Sequence, residues 1–95
     1  MAVPDPTVTV TEHTVSCLPI DHRDRRYFEV QVKRHRSGNW YVTDSFEFYG
    51  AAAERRSMPA LMTEPEAIAV ARQIAPAMVV NGHTVAAALA AGGAR

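Results

Sequence analysis

Tyrosine, lysine and arginine are the residues of this chain whose positions most clearly favour recognition chemistry. The segment from residue 34 to residue 50, RHRSGNWYVTDSFEFYG, contains five aromatic residues within ten positions, directly after a basic stretch. Tyrosine is common at the energetic centres of protein interfaces, whereas arginine and lysine bind the phosphates of nucleic acids. Which chemistry applies depends on how the strands of a sheet distribute these side chains between its two faces.

Two stretches of the chain alternate apolar with polar residues, as half-buried β-strands do. Their apolar positions all have even numbers: Phe28, Val30, Val32, Trp40, Val42, Phe46 and Phe48. Because successive side chains of a strand point to opposite faces, this pattern predicts one inward face that holds most of the aromatic residues. Asp44 is the one polar residue at an even position of the second stretch.

The turn between these two strands must pair even positions with even positions, since directly opposed residues of an antiparallel pair share a face. A two-residue loop at positions 37–38 would break that condition. A three-residue loop at positions 36–38, with its glycine in the left-handed conformation, satisfies it. The predicted register has these opposed pairs: Val32 with Val42, and Phe28 with Phe46.

The first candidate site consists of polar and aromatic side chains on the other, odd-numbered face. They are Tyr27, Gln31, Lys33, Tyr41 and Tyr49. Large amphipathic rings next to polar groups suit contact with a protein partner. The alternative is an ordinary solvated face whose tyrosines only pair across strands.

The second candidate site is basic and would contact nucleic acid. Its residues are Arg25, Arg26, Lys33, Arg34 and Arg36. Residues 22 to 36 include six lysines and arginines against two acidic residues, a difference of +4. In a meander, the first two arginines lie at one end of a strand and the last two at the other, about 30 Å away at about 3.3 Å per residue. They form one phosphate-binding surface only for a nucleic acid that runs along the sheet.

Histidine, cysteine and carboxylate groups form no recognisable catalytic or metal-binding pattern. His13 and Cys17 share a parity, and His22 is close to Asp24, but these residues do not define a zinc site. Cys17 lies in an apolar strand pattern and is expected to be a small core residue. The sequence has no nucleophile elbow, phosphate loop or dinucleotide fingerprint. We therefore expect no enzyme activity, no cofactor, no metal and no small-molecule substrate.

Length and composition indicate one small domain. The 95 residues include ten basic and ten acidic side chains, so the formal charge is zero, unlike that of most nucleic-acid-binding domains. Alanine makes up much of the 47% hydrophobic fraction, so the core is small and self-association would add buried area. The N-terminus lacks a signal-peptide pattern, no stretch reaches about 18 apolar residues, and a lone cysteine excludes an internal disulfide. These features favour a cytoplasmic protein without membrane contact.

The remaining segments predict the elements that complete the domain. Residues 1–6 and 92–95 have the composition of flexible tails around a single α+β domain at residues 7–91. A first strand is expected at the start of that domain. Its apolar positions change parity between Thr11 and Thr14, and a bulge or kink there would reconcile them.

The C-terminal half predicts a helix and one further unit. Thr63 and Glu66 form a capping box that begins the helix, and Pro76 ends it. Two arrangements then compete. In one, an Asn81-Gly82 turn joins two short strands into a hairpin. In the other, which the alanine content favours, a short extended piece precedes a helix capped by Thr84.

The predicted fold is therefore α+β: a three-stranded antiparallel meander with a helix packed on one face and a short C-terminal strand or turn plus a helix. The β-β-β-α order and the GNWYV turn and strand resemble the arm-site DNA-binding domains of phage integrases over residues 27–76. That resemblance implies DNA binding. The use of alanine, arginine and valine is similar to that of short uncharacterised proteins from high-GC actinobacteria and their phages, and it implies no activity.

These patterns together predict a small non-enzymatic module that binds protein or acts as a regulatory accessory, associated with a phage. It would act through the open face or an edge of its sheet. Its partner would be another protein, a second copy of the chain, or both. The alternative is a nucleic-acid-binding domain that uses the basic loop and the hairpin tip.

Overall fold

The structure, a computed structural model, describes residues 2–92. Met1 and residues 93–95, which belong to the predicted tails, lie outside the described residues. The main feature is one antiparallel sheet of five strands in chain order: β1 (Glu12–Val15), β2 (Val30–Arg34), β3 (Trp40–Thr43), β4 (Phe48–Tyr49) and β5 (Arg55–Arg56). The α+β class is confirmed. The predicted count of three strands is wrong, because the chain turns back twice more after β3, through two strands of two residues each.

The β2–β3 hairpin has the predicted register, with Val32 opposite Val42. The N–H of His35 donates to the carbonyl of Asn39 at 2.7 Å, which closes the three-residue loop. Gly38 has a φ of 93°, the left-handed conformation that this loop needs and that glycine adopts without steric conflict. The parity of the strands and the position of one glycine were therefore sufficient to predict this hairpin.

Strand β1 is shorter than predicted, and its apolar pattern needs no kink. It begins at Glu12, and residues 2–11, called the N-terminal arm below, contain no helix or strand. Val8 and Val10 are exposed in this arm, so their parity is independent of the sheet. Cys17 is exposed just beyond β1, so the prediction of a core cysteine is wrong.

The chain reverses between β3 and β4 through a two-residue turn. Ser45 and Phe46 are its central residues, and the N–H of Asp44 donates to the carbonyl of Glu47 at 3.2 Å across it. A two-residue turn pairs even positions with odd positions. The opposed pairs are Val42 with Tyr49, and Thr43 with Phe48. The inward face of the sheet therefore changes from even to odd numbers at this turn.

This change of parity corrects three predictions. Phe46 is 92% exposed at the turn rather than inward. Phe48 lies on the face of the sheet that is turned away from the core, called the open face below. It is half-buried there. Tyr49, predicted on the open face, is 7% exposed on the face that the helix covers.

Helix α1 (Glu64–Ile74) covers the inward face of the sheet. It begins as predicted, because the Thr63 hydroxyl accepts the N–H of Glu66 at 3.4 Å and the Glu66 carboxylate accepts the N–H of Thr63 at 3.0 Å. A 3₁₀ turn, Ala75–Ala77, follows it and contains Pro76. The apolar stripe of α1 forms the main core with the sheet. This core contains Val30, Val32, Trp40, Val42, Tyr49, Met62, Ala67, Val70, Ala71, Ile74 and Ala75.

The two competing C-terminal arrangements occur together. Three short elements follow the 3₁₀ turn: β6 (Val79–Val80), β7 (His83–Thr84) and α2 (Val85–Ala90). Asn81 and Gly82 have φ values of 51° and 79°, and both central residues of a type I′ hairpin turn need positive φ. Thr84 ends the hairpin and also caps α2, because its hydroxyl accepts the N–H of Ala87 at 3.1 Å. Within residues 2–92, no helix is long and apolar enough to span a membrane.

A second apolar cluster joins α2 to the end of the sheet where β2 begins. It contains Leu18, Phe28, Val85 and Ala88. The predicted pairing of Phe28 with Phe46 is wrong, because Arg25–Tyr27 form a 3₁₀ helix and β2 starts only at Val30. We call this the basal end of the sheet. The β3–β4 turn, the 3₁₀ helix Arg25–Tyr27 and the β6–β7 hairpin approach one another there.

Candidate functional site

The structure places the predicted protein-binding residues in three locations. Gln31, Lys33 and Tyr41 lie together on the open face, where Lys33 is opposite Tyr41. Tyr49 lies on the opposite face, beneath α1. Tyr27 lies in the 3₁₀ helix at the basal end and is exposed. The open face therefore brings together only the residues of β2 and β3 from that set.

Phe48 is the aromatic residue that the open face gains in place of Tyr49. Its ring contacts the ring of Tyr41 edge-on, with the ring centroids 5.9 Å apart and the planes at 63°. Edge-to-face contacts of this kind stabilise aromatic pairs beyond the burial of area. The open face thus presents a short aromatic strip, Tyr41 and Phe48, beside Lys33.

A groove at the basal end collects exposed apolar side chains from three separate elements. It has a volume of about 460 Å³. Tyr27, Phe46 and Val79 line it, and their exposed fractions are 51%, 92% and 61%. Gln31 also lines it, so the groove is continuous with the open face of the sheet. We call it the basal groove.

Arg26 orients the Tyr27 side of the basal groove. Its guanidinium carbon lies 4.8 Å from the centroid of the Tyr27 ring. Its Nη2 donates a hydrogen bond to the Tyr27 hydroxyl oxygen at 2.8 Å. A cation over the ring face and a bond to the ring's polar end together restrict the orientation of the ring. Arg26, which was predicted to contact nucleic acid, contacts the Tyr27 ring at the edge of the basal groove.

A hydrogen-bond network around Asp44 fixes the turn that presents Phe46. One carboxylate oxygen accepts the N–H groups of Phe46 at 3.0 Å and of Glu47 at 2.9 Å. The other accepts the hydroxyl of Tyr49 at 2.6 Å. Ser45 has a φ of 82°, which residues other than glycine rarely adopt. Through Tyr49, the exposed turn is attached to the main core.

The titration of this network follows from its geometry. Partial burial would raise the pKa of the Asp44 carboxyl, but the hydroxyl of Tyr49 and the N–H groups of Glu47 and Phe46 together hold it below its usual value. Burial, the hydrogen bond to Asp44 and the negative charge of Asp44 raise the pKa of Tyr49 to about 12. At neutral pH the network therefore consists of an ionised carboxylate and a neutral phenol.

The predicted nucleic-acid-binding residues do not converge. Arg25 is engaged within the fold, since its Nε lies 3.0 Å from a Glu29 carboxylate oxygen and its Nη1 donates to the Leu18 carbonyl at 2.7 Å. The 3₁₀ helix that contains Arg25 lies at the basal end. Arg34 ends β2 at the opposite end of the sheet, and Arg36 lies in the hairpin loop beyond it.

A second groove, of about 510 Å³, continues from the basal groove past Tyr27 and Val80 towards α2. Buried His22 connects the 3₁₀ region to that helix. Its Nδ1 accepts the N–H of Asp24 at 3.0 Å, so its Nε2 carries the proton and donates to the Ala88 carbonyl at 3.1 Å. His22 thus holds α2 in place beside these grooves.

His13, in β1, has structural surroundings. The His13 ring stacks on Trp40, with centroids 5.3 Å apart and planes at 23°. Its Nε2 lies 2.6 Å from a carboxylate oxygen of Glu64, so it connects β1 to the first turn of α1. In the part of the chain that the structure describes, no three His, Cys, Asp or Glu side chains are grouped so as to hold a metal ion.

Phe46 and Val79 were not predicted as site residues, because Phe46 was assigned to the core and Val79 to a short strand or extended piece before the C-terminal helix. The one signal for the turn was Asp44 among the inward positions. Aspartate is favoured at the start of a turn because its carboxylate accepts nearby backbone N–H groups. Comparison of the chain with protein-family models, with curated proteins and with solved structures found no match.

Proposed function

We propose that this chain is a non-enzymatic protein-binding module whose basal groove holds an apolar side chain of its partner. The observation that carries the proposal is the convergence of Tyr27, Phe46 and Val79, all of them exposed, on one groove. Single exposed apolar residues are ordinary, whereas exposed apolar residues that cluster around a concave surface mark binding sites.

The turn that carries Phe46 is organised before any partner arrives. Asp44 holds the backbone on both sides of the ring, and buried Tyr49 holds Asp44. A side chain presented on a fixed backbone loses less conformational freedom on binding, so more of its contact energy contributes to affinity. Arg26 restricts the Tyr27 ring in the same way.

Polar groups beside the groove suit a peptide segment of the partner. The side-chain amides of Gln31 and Asn81, which line the groove, supply both donors and acceptors. These groups complement the C=O and N–H groups of an extended peptide. The aromatic strip, Tyr41 and Phe48, continues the surface from Gln31 across the open face. The ligand class is therefore an extended peptide with at least one large apolar side chain.

Nucleic-acid binding has no comparable observation in its support. Arg25 is committed to Glu29 and to a backbone carbonyl, and Arg26 to Tyr27. The other arginines of the predicted set lie at the opposite end of the sheet. A phosphate backbone would therefore meet two separated groups of cations on a chain of zero formal charge.

Selection from a random peptide library displayed on phage tests the proposal without knowledge of the natural partner. Immobilised wild-type protein should enrich peptides that contain aromatic or large aliphatic residues and that bind the protein in solution. Phe46→Ser should weaken that binding about tenfold or more, since central anchoring residues contribute on this scale. Because Phe46 is exposed, the variant should unfold at the wild-type temperature.

Met58→Ser is the matched control. Met58 is 72% exposed and lies outside the basal groove, in the connection between β5 and α1. Its loss removes a similar exposed apolar side chain and should leave the affinity unchanged. Equal affinities of wild type and Phe46→Ser for every enriched peptide would contradict the proposal. Equal losses in the two variants would also contradict it, because they would indicate unspecific apolar contact.

A further inference from the structure

The two edges of the sheet differ in their protection against pairing with another strand. At one edge, β5 has two residues, and both are exposed arginines. At the other edge, β1 continues into the N-terminal arm, and residues 7 to 18 include no proline, lysine or arginine. Proteins usually shorten edge strands or place charges and prolines in them, because an open edge pairs with other chains. The β1 edge has the least of this protection.

The backbone groups of β1 alternate between its neighbour β2 and the free edge. The N–H of Arg34 donates to the carbonyl of Thr11 at 2.9 Å, so Thr11 and the later odd-numbered residues direct their groups to β2. Glu12 and Thr14 therefore direct their N–H and C=O groups to the free edge. If the same alternation continues into the N-terminal arm, the N–H and C=O groups of its even-numbered residues also point to the free edge.

The N-terminal arm extends beyond its own sheet. β2 ends at Arg34, opposite Thr11, so no strand within residues 2–92 lies beside residues 7–10. This stretch alternates threonine with valine, and both residue types are β-branched and favour strands. Val8 is 101% exposed and Val10 is 59% exposed. A strand-forming, exposed segment thus continues directly from the less protected edge of the sheet.

We propose that β1 and the arm pair antiparallel with the same segment of a second copy of this chain, about a two-fold axis at Thr11. Residues 8–14 of each copy then lie opposite residues 14–8 of the other. Two sheets of five strands become one continuous sheet of ten. This dimer uses the edge of the sheet and does not rest on the function proposed for the basal groove.

The chemistry of the segment selects this register. Directly opposed residues share a face, so the two-fold axis must pass at a residue rather than between two residues. An axis at Glu12 would set two glutamates directly opposite each other, which is destabilising. An axis at Val10 would set Pro6 opposite Thr14, and that pair would lack one bond because proline has no N–H. With the axis at Thr11, neither problem arises, and Val10 lies opposite Glu12 of the partner subunit.

The number of hydrogen bonds across this interface falls within the range of specific protein contacts. About four opposed pairs exchange two N–H···O=C bonds each, which gives about eight bonds between the subunits. Specific interfaces typically contain about five to fifteen direct hydrogen bonds. Pairing also brings the exposed valines of the arm against the β1 strand of the other copy. The free edge therefore offers as many backbone hydrogen bonds as a specific interface typically contains.

Size-exclusion chromatography with light scattering over a range of concentrations tests the dimer. Wild-type protein should be dimeric, and Val10→Pro should weaken association about tenfold or more, because it removes an N–H that faces the partner. Thr9→Pro is the matched control, because its N–H faces away from the partner and the dimer should persist. A wild-type monomer at every concentration, or equal dissociation constants for Val10→Pro and wild type, would overturn the proposal. Equal weakening by both prolines would overturn the register.

Cysteine crosslinking tests the register directly, in a Cys17→Ser background that removes the exposed native thiol. Thr11→Cys places two thiols across the axis at a Cα–Cα distance of about 4.5 Å, which a disulfide spans. Mild oxidation should therefore give a covalent dimer. Thr9→Cys places the two Cα atoms about 13 Å apart along the strands, at about 3.3 Å per residue, and should not crosslink. Crosslinking of Thr9→Cys but not of Thr11→Cys would overturn the proposed pairing.

Discussion

The two turns at opposite ends of strand β3 reach a left-handed backbone conformation by different means. In the β2–β3 loop, Gly38 has a φ of 93°, and in the β3–β4 turn, Ser45 has a φ of 82°. Glycine adopts such angles without steric conflict, whereas a residue with a side chain is strained there by about 1–3 kcal/mol. The first turn is therefore relaxed and the second is strained.

The hydrogen bonds around the two turns also differ, because those at the strained turn reach the buried core. At the first, side-chain hydrogen bonds connect exposed neighbours, such as His35 Nδ1 and the Ser37 hydroxyl at 2.9 Å. At the second, Asp44 bonds to the buried Tyr49 at 2.6 Å. A strained conformation persists only where its surroundings hold it, and such positions concentrate at functional sites. The first turn therefore connects two strands, whereas the second also holds Phe46 at the basal groove.

Among changes at the two turns, removal of the Asp44 carboxylate should lower the free energy of unfolding the most. Asp44→Ala leaves the Tyr49 hydroxyl and two backbone N–H groups without their acceptor, and we expect a loss of about 2–3 kcal/mol in the free energy of unfolding. Ser37→Ala, at the other turn, should change it by less than about 0.5 kcal/mol, because its bonds are exposed. Denaturant unfolding measures both. Similar losses for the two variants would remove the distinction between the turns.

Removal of the Tyr49 hydroxyl should lower the free energy of unfolding by an intermediate amount, and this effect should depend on pH. Tyr49→Phe keeps the ring in the core and removes one charge-assisted hydrogen bond, so we expect a loss of about 1.5 kcal/mol. The pKa of Tyr49 is raised from 10.0 to about 12 in the folded protein. Its contribution is therefore fully present below about pH 10 and is lost as the pH rises towards 12.

Unfolding measured from pH 8 to pH 12 separates this titration from the loss of the bond itself. The difference in stability between wild type and Tyr49→Phe should shrink as the pH passes from about 10 to about 12. Asp44 behaves in the opposite sense. Since its pKa is lowered in the fold, its contribution is lost as the pH falls through the acidic range. A difference that stays constant up to pH 12 would mean that the pKa of Tyr49 is not raised in the folded protein.

Exchange of residue types at the left-handed positions should give the smallest effects, of opposite sign. Ser45→Gly relieves the strain at φ 82° and should raise the free energy of unfolding by about 0.5–1 kcal/mol. Gly38→Ala should lower it by about 1 kcal/mol. An added Cβ at Gly38 would meet only Arg34 Nη2 at 3.8 Å, so the backbone angle alone accounts for that loss. Thermal unfolding of both variants checks the signs, and equal signs would contradict the assignment of strain.

The relaxed hairpin was predictable from the sequence because its determinants are local. Strand parity and Gly38 together selected one loop length, and the Thr63 capping box located the start of α1 in the same way. The choice between two C-terminal arrangements was open because Thr84 both ends a strand and caps a helix. Each pattern was correct, and each described a different half of the same unit.

The strained turn was not predictable in this way. Ser45 and Phe46 include no glycine, proline or asparagine, and the even positions of Phe46 and Phe48 match a continued strand. Asp44, and Tyr49 beneath α1, hold the left-handed conformation of Ser45. The alternation of residues along a strand gives no information about such tertiary contacts. The basal groove was equally hidden, because it joins side chains from residues 27, 46 and 79.

An NMR titration distinguishes a partner that binds beside Phe46 from one that binds at the β2–β3 loop. Backbone amide shifts of ¹⁵N-labelled protein would be recorded while a peptide enriched on the wild-type protein is added. The largest shifts should fall at Tyr27, Phe46 and Val79, with the 35–39 loop unchanged. Shifts concentrated in the 35–39 loop, with the basal groove unchanged, would contradict binding beside Phe46.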